Sequence, residues 1–289
     1  VHKASYVASI LIIVSGALSA AAPADTAISR GLVVVATFPG IEEELERLAC
    51  SDDIVVTASF SADPHSPAVR PSFARALERA DVIILMAHTR LDELAEVIGG
   101  DATKINVEEY SIELAEIGGT PITHYPIYDP INYASFLREV AESMSAKRPE
   151  CAAHYRAVAE ELASTVMESY KRLNGSLSGK PAIVSSALAA NAVGWLGLDI
   201  KAIISMGPES QVSPRILKEA EEALAHGAIA VVMTDDRGKP LGRPSEWLLE
   251  KAEEYNTPII LVETPFSQGS LASKIEQVAM QAASISHNP

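Results

Sequence analysis

CAAHYRAVAEELASTVMESYKRL, residues 151–173, is the stretch on which the architecture turns. Tyr155, Val158, Leu162, Val166, Tyr170 and Leu173 recur at steps of three and four, the period of a single helical face. Neither proline nor glycine interrupts the run before Gly175. At 1.5 Å rise per residue such a helix spans roughly 35 Å, about the width of a domain. The expectation is a rigid strut between the units on either side of it. The plainer alternative is an amphipathic helix packed on one of them.

Strands and helices alternate on both sides of this segment. Before it, residues 31–149 carry apolar runs at Leu32–Phe38, Ile54–Phe60 and Val82–Met86. Helical spacing separates them: Ile41/Leu45/Leu48, Phe73/Leu77/Ala80, Leu91/Leu94/Ala95/Ile98 stopping at Gly99-Gly100, then Leu137/Val140/Ala141/Met144. After it, residues 180–286 read as strands at Ala182–Ser185, Lys201–Ser205, Ala228–Thr234 and Pro258–Glu263. Helical patterns at Leu188/Ala192/Trp195/Leu196, Ile216/Leu217/Ala220/Leu224 and Trp247/Leu248/Lys251/Ala252 lie between them. Continuous apolar strands that alternate with helices predict parallel sheets covered on both faces. The predicted fold class is α/β: two lobes, each a mostly parallel sheet with helices on both faces, joined by one long helix at about residues 150–175.

Composition bounds the function. The 289 residues suffice for two cores. With 48% hydrophobic and 21% charged residues the chain is globular. A net charge of −15 excludes unassisted nucleic-acid binding, which needs a basic surface. Residues 1–24 place Lys3 before the apolar run Tyr6–Leu18 and the small residues Ser19-Ala20-Ala21-Ala22, the order of a secretory signal. Export follows as the expectation; if uncleaved, the segment would anchor the protein to a membrane. Cys50 and Cys151 fit either a disulfide or two buried thiols. The sequence has no Gly-x-Gly-x-x-Gly after a strand, no Walker loop and no Gly-x-Ser-x-Gly elbow, so nothing argues for an enzyme.

Several ordered motifs carry a resemblance. Asp63-Pro64-His65 precedes Arg70-Pro71-Ser72 and Ala80-Asp81-Val82-Ile83; Asp129-Pro130 opens a helix containing Asn132; Arg148-Pro149-Glu150 opens the long helix. Gly194-Trp195-Leu196-Gly197-Leu198 is followed by Gly207-Pro208-Glu209-Ser210-Gln211-Val212-Ser213-Pro214-Arg215. In this order they resemble the metal-type solute-binding proteins of ABC transporters. The resemblance implies a divalent transition metal, zinc or manganese, carried as cargo between the lobes, and an ABC transporter permease with its ATPase as partners. It places the protein outside the cytoplasm.

The resemblance also implies a ligand set, with one gap. His65 matches the first ligand. His124 stands near the second, five residues before Asp129 where the family usually has four, with Tyr125 in the usual place. Ser186 falls at the third position, where imidazole or carboxylate is expected, and a hydroxyl is a poor substitute. Glu263 or Thr264 falls at the fourth, and Glu263 ends an apolar run as strand-end ligands do. The implied metal set is therefore His65, His124 and Glu263. His88 ends a strand and could replace the missing ligand, though a simple polar cleft residue is the plainer reading; Asp235-Asp236 offers further carboxylates but reads as solvated charge; His154 and His226 read as structural or exposed. The missing third ligand keeps two alternatives open, a chelate or corrinoid cargo and an α/β protein that binds no metal. Aromatic residues, only 5% of the chain, argue against a large planar ligand.

Overall fold

The computed structural model describes residues 30–58, 70–87, 89–207 and 212–287. The N-terminal segment read as an export signal, the His65 motif, His88 and part of the Gly207–Arg215 motif lie outside them.

The first lobe is built on a parallel sheet of β1 (Val33–Ala36), β2 (Ile54–Thr57), β3 (Val82–Leu85) and β4 (Thr103–Asn106), in the order β2-β1-β3-β4. Its helices are α1 (Glu42–Leu48), α2 (Pro71–Leu77), α3 (Arg90–Ile98) and α4 (Pro130–Lys147). A short hairpin, β5 (Glu116–Ile117) and β6 (Thr120–Pro121), turns on Gly118 and Gly119, both at positive φ (58° and 79°) as a tight hairpin requires. The long helix α5 covers Ala152–Leu173. The second lobe has β7 (Pro181–Ser186), β8 (Asp199–Ser205), β9 (Ile229–Thr234) and β10 (Ile259–Glu263), parallel in the order β10-β9-β7-β8. Its helices are α6 (Ala187–Gly194), α7 (Pro214–Ala225), α8 (Gly242–Glu254) and α9 (Leu271–His287). The expected α/β class with two helix-covered parallel sheets is what the chain adopts.

Strand alternation explains the continuous apolar runs. In β1, Val33 and Val35 face one side and meet Phe73 and Leu77 of α2 and Leu91 and Ala95 of α3. Val34 and Ala36 face the other side, toward Leu45 of α1 and Phe136 and Val140 of α4. Likewise Ala230 and Val232 of β9 pack on α7 and α8, while Val231 and Met233 face inward. The inward faces of both sheets belong to one continuous core that runs through α4, α5, α6 and α9. Two separate cores were the sequence expectation. The structure instead has an outer core in each lobe and a third one shared between them.

The long helix packs on both lobes, against α4 and α1 on one side and α9 on the other. Tyr155, Leu162, Val166 and Leu173 are buried along its stripe, with Val158 and Tyr170 at the margin. Paired guanidinium–carboxylate contacts, Arg138 to Glu160 at 2.9 and 3.1 Å and Arg156 to Glu142 at 2.7 Å, clip α4 to α5. Cys50 and Cys151 are disulfide-bonded, with Cα atoms 6.4 Å apart, which settles the open reading of the thiols. Beside them Asp53 is enclosed by four donors: Leu32 N and Arg148 Nη1 at 2.7 Å, Cys50 N at 2.8 Å and Tyr155 Oη at 2.6 Å. Burial pushes its carboxyl up, but these donors outweigh it and hold the group below its ordinary value.

Candidate metal centre

In parallel sheets the loops at the carboxyl ends of the strands are the ligand-bearing edge. Here those edges meet across the two lobes. Gly40, just after β1, lies so close to the loop after β10 that a Cβ on it would be 2.3 Å from the Pro265 carbonyl oxygen. Tyr128 Oη donates to the Glu263 carbonyl oxygen at the end of β10. Glu44 of α1 accepts from Ala272 N and Ser270 Oγ, both at 2.9 Å, at the start of α9, and from Tyr133 Oη at 3.3 Å. Burial pushes the Glu44 carboxyl up against these donors, and its Oε2 has no partner.

His124 sits in the connection between β6 and α4. The neighbouring Tyr125 holds a left-handed φ of 48°, uncommon for a residue with a bulky side chain. Its ring is buried edge-on against Phe38 and Tyr128, with centroids 5.6 and 5.0 Å away. The left-handed residue and the single 3-10 turn Pro126–Tyr128 lead into Asp129, whose Oδ1 caps α4 by accepting from Ile131 N and Asn132 N. Asn191 of α6 grips the loop from the second lobe. Its Nδ2 donates to the carbonyls of Ile122 (2.9 Å) and His124 (2.8 Å), and its Oδ1 accepts from Ala115 N at 2.8 Å. The His124 ring is half-buried, and its Nδ1 is enclosed with no hydrogen-bond partner. An enclosed, unpartnered imidazole nitrogen is costly unless something else takes its lone pair or proton. Ala87, at the end of β3, is also left-handed, at φ 84°. Strain of this kind gathers where backbone is held for a purpose. The third non-glycine residue at positive φ among the described residues, Asn256, follows α8 as an ordinary helix terminator.

The other sequence candidates are placed as follows. Ser186 ends β7 and caps α6, its Oγ 3.4 Å from Leu188 N. Glu263 ends β10, as expected, but its carboxylate is engaged: Oε1 accepts from Ser267 Oγ at 2.5 Å and lies 3.3 Å from Lys274 Nζ. Asp235 closes a turn by accepting from Arg237 N and Lys239 N, both at 2.9 Å; the Lys239 N–H leads in holding its carboxyl low. Asp235, Asp236 and Glu263 share the wall of one open groove beside α9. His154 Nε2 lies 3.1 Å from the Ala49 carbonyl and His226 Nδ1 2.6 Å from that of Glu222, both structural. Among the described residues, no three His, Cys, Asp or Glu side chains are close enough together to hold a metal ion. Sequence reading missed Asn191, Tyr128, Glu44 and Lys274; of these only Lys274 carries a signal, a cation inside an apolar helical pattern.

The family model for the zinc-uptake complex component A, periplasmic (ZnuA), matches residues 34–241. Glu263 and Lys274 fall beyond that match. No protein of curated function matches the sequence. Among solved structures, a zinc-bound deletion mutant of ZnuA superimposes with a TM-score of 0.68 at 16% identity, over 88% of this chain and 97% of that one. FpvC from Pseudomonas aeruginosa, in complex with Mn2+, gives 0.67 at 16% identity over 90% and 98%. Laminin-binding protein (Lmb) of Streptococcus agalactiae, described as a bifunctional protein with adhesin and metal-transporting activity, gives 0.66 at 16% identity over 88% and 100%. At these identities the likenesses show the fold, and the family model, matching most of the chain, shows the kinship. The chain therefore belongs to the family of zinc-uptake complex component A, the periplasmic component.

Proposed function

We propose that this protein captures a divalent transition metal, zinc or manganese, outside the cytoplasm and delivers it to an ABC transporter permease driven by its ATPase. His65 and His124 would supply imidazole from the first lobe and Glu263 a carboxylate from the second. The observation that carries this reading is His124: a half-buried imidazole with an enclosed, unpartnered Nδ1, on a left-handed loop gripped by both lobes. Neutral imidazole is the donor that zinc and its neighbours prefer. The disulfide fits an oxidising, extracytoplasmic setting. Among the described residues no helix is long and apolar enough to cross a membrane. The rings nearest the seam, Phe38, Tyr125 and Tyr128, are buried against one another rather than offered as a platform, which favours a bare ion over a planar chelate. Delivery makes and breaks only coordination bonds and leaves the cargo chemically unchanged, so in this reading the protein acts as a receptor rather than an enzyme.

Calorimetric titration of metal-free protein with zinc and with manganese tests the proposal. Micromolar or tighter binding of at least one is expected, weakened about 10-fold to 100-fold by His124→Ala. Binding no tighter than millimolar for both metals would overturn the reading.

A further inference from the structure

The geometry points to Lys274 as a tethered competitor for the cargo ion at Glu263, one that biases the site toward zinc and away from manganese; this rests on the metal-capture reading above. Lys274 rises from α9 into the end of β10, with its side chain only 3% exposed. Its Nζ faces four oxygens: the carbonyls of Thr264 (3.2 Å) and Ser267 (3.0 Å), Ser267 Oγ (2.8 Å) and Glu263 Oε1 (3.3 Å). Two carbonyls, a hydroxyl and a carboxylate form a donor set suited to a hard cation. In this chain an ammonium on its own side chain fills it.

The consequence for cargo is competitive. A metal ion that recruits Glu263 must leave a buried ammonium without its counter-charge, and breaking a buried pair is strongly unfavourable. Glu263 is thus withheld from the ion to the extent that Lys274 holds it. Zinc gains most of its affinity from imidazole, whereas manganese depends more on carboxylate oxygen. Withholding the carboxylate therefore penalises manganese more. Burial works against the ammonium, and the carboxylates of Glu263, Glu44 and Glu43 work for it.

Zinc and manganese affinities of the metal-free full chain, Lys274→Met and the double variant Glu263→Gln/Lys274→Met test this. Lys274→Met should bind manganese about 10-fold tighter or more, with a smaller change for zinc. In the double variant the manganese gain should be lost, because the carboxylate that Lys274→Met sets free is gone. A merely structural lysine would lower stability and leave the zinc-to-manganese ratio where it was, and that result overturns the inference. So does a manganese gain that persists in the double variant, since Glu263 would then not be its source. Should Lys274→Met not fold, Lys274→Gln, which keeps an N–H donor for the Thr264 and Ser267 carbonyls without the charge, is read by the same criterion. A parent that binds neither metal while Lys274→Met binds manganese refutes the capture reading and upholds the competitor; no binding in all three overturns both.

Discussion

Asp129 shows how one side chain shapes both helix and loop. It caps α4, yet burial pushes its carboxyl up to about 6, against the N–H groups of Asn132 and Ile131, with the charge of Glu113 adding to the rise. The folded value lies above the unfolded one, so stability falls as pH rises from about 4 to about 6, and the loss persists at neutral pH. Asn would accept the same two N–H bonds without ionising. Asp129→Asn should therefore be more stable than the parent by about 1–3 kcal/mol at about pH 7.5 and nearly equal at about pH 4, as read by urea denaturation. An equal difference at both pH values would remove ionisation as the cause. At this scale the candidate site was only partly legible. His124 stood out because an Asp-Pro helix start follows it. Asn191 did not, because its partner carbonyls lie as far as 69 residues away and nothing local marks an amide in an alanine-rich helix.

Elements were more legible than residues, since apolar runs and helical spacing are local. β1, β3, β7 and β9 were readable because most of their side chains are buried from both faces. β4 was not recognised: it is an edge strand in which only Ile105 is fully buried, so no apolar run betrays it. α9 was also missed; small and polar residues interleave with Leu271, Ile275 and Val278 and dilute its stripe. Loops that bring elements together gave no sign at all. Gly40 is the clearest case, because its need for a missing Cβ comes from Pro265 on the other lobe. Gly40→Ala should cost about 1–3 kcal/mol by driving the loops after β1 and β10 apart. Thermal melting of the variant tests this, and an unchanged midpoint would mean that the seam gives way freely.

For the whole molecule, the fold class was visible in the alternation of strands and helices, but the sharing of a core between lobes was not, because periodicity says which face is buried and not against what. The disulfide likewise depended on distance. It closes a separation of 101 residues and, on chain-entropy grounds, removes about 4–5 kcal/mol of freedom from the unfolded chain. The Asp53, Arg148 and Tyr155 network spans the same junction through side chains other than the cysteines'. Reduced protein, or the Cys50→Ser/Cys151→Ser variant, should still fold but lose about 2–5 kcal/mol in denaturant titrations. Equal stability with and without reductant would show that the network alone secures the junction.

The amide of Asn191 reaches across to the backbone that carries His124. One half of the protein thus has a hand on the loop of the other half that carries His124. Any tilt of the halves pulls on the imidazole as a lever pulls on a catch. If His124 ligates the cargo as proposed, a docking partner that strains the pair by a small angle would loosen the ion by moving that ligand, without waiting for water to flood the gap.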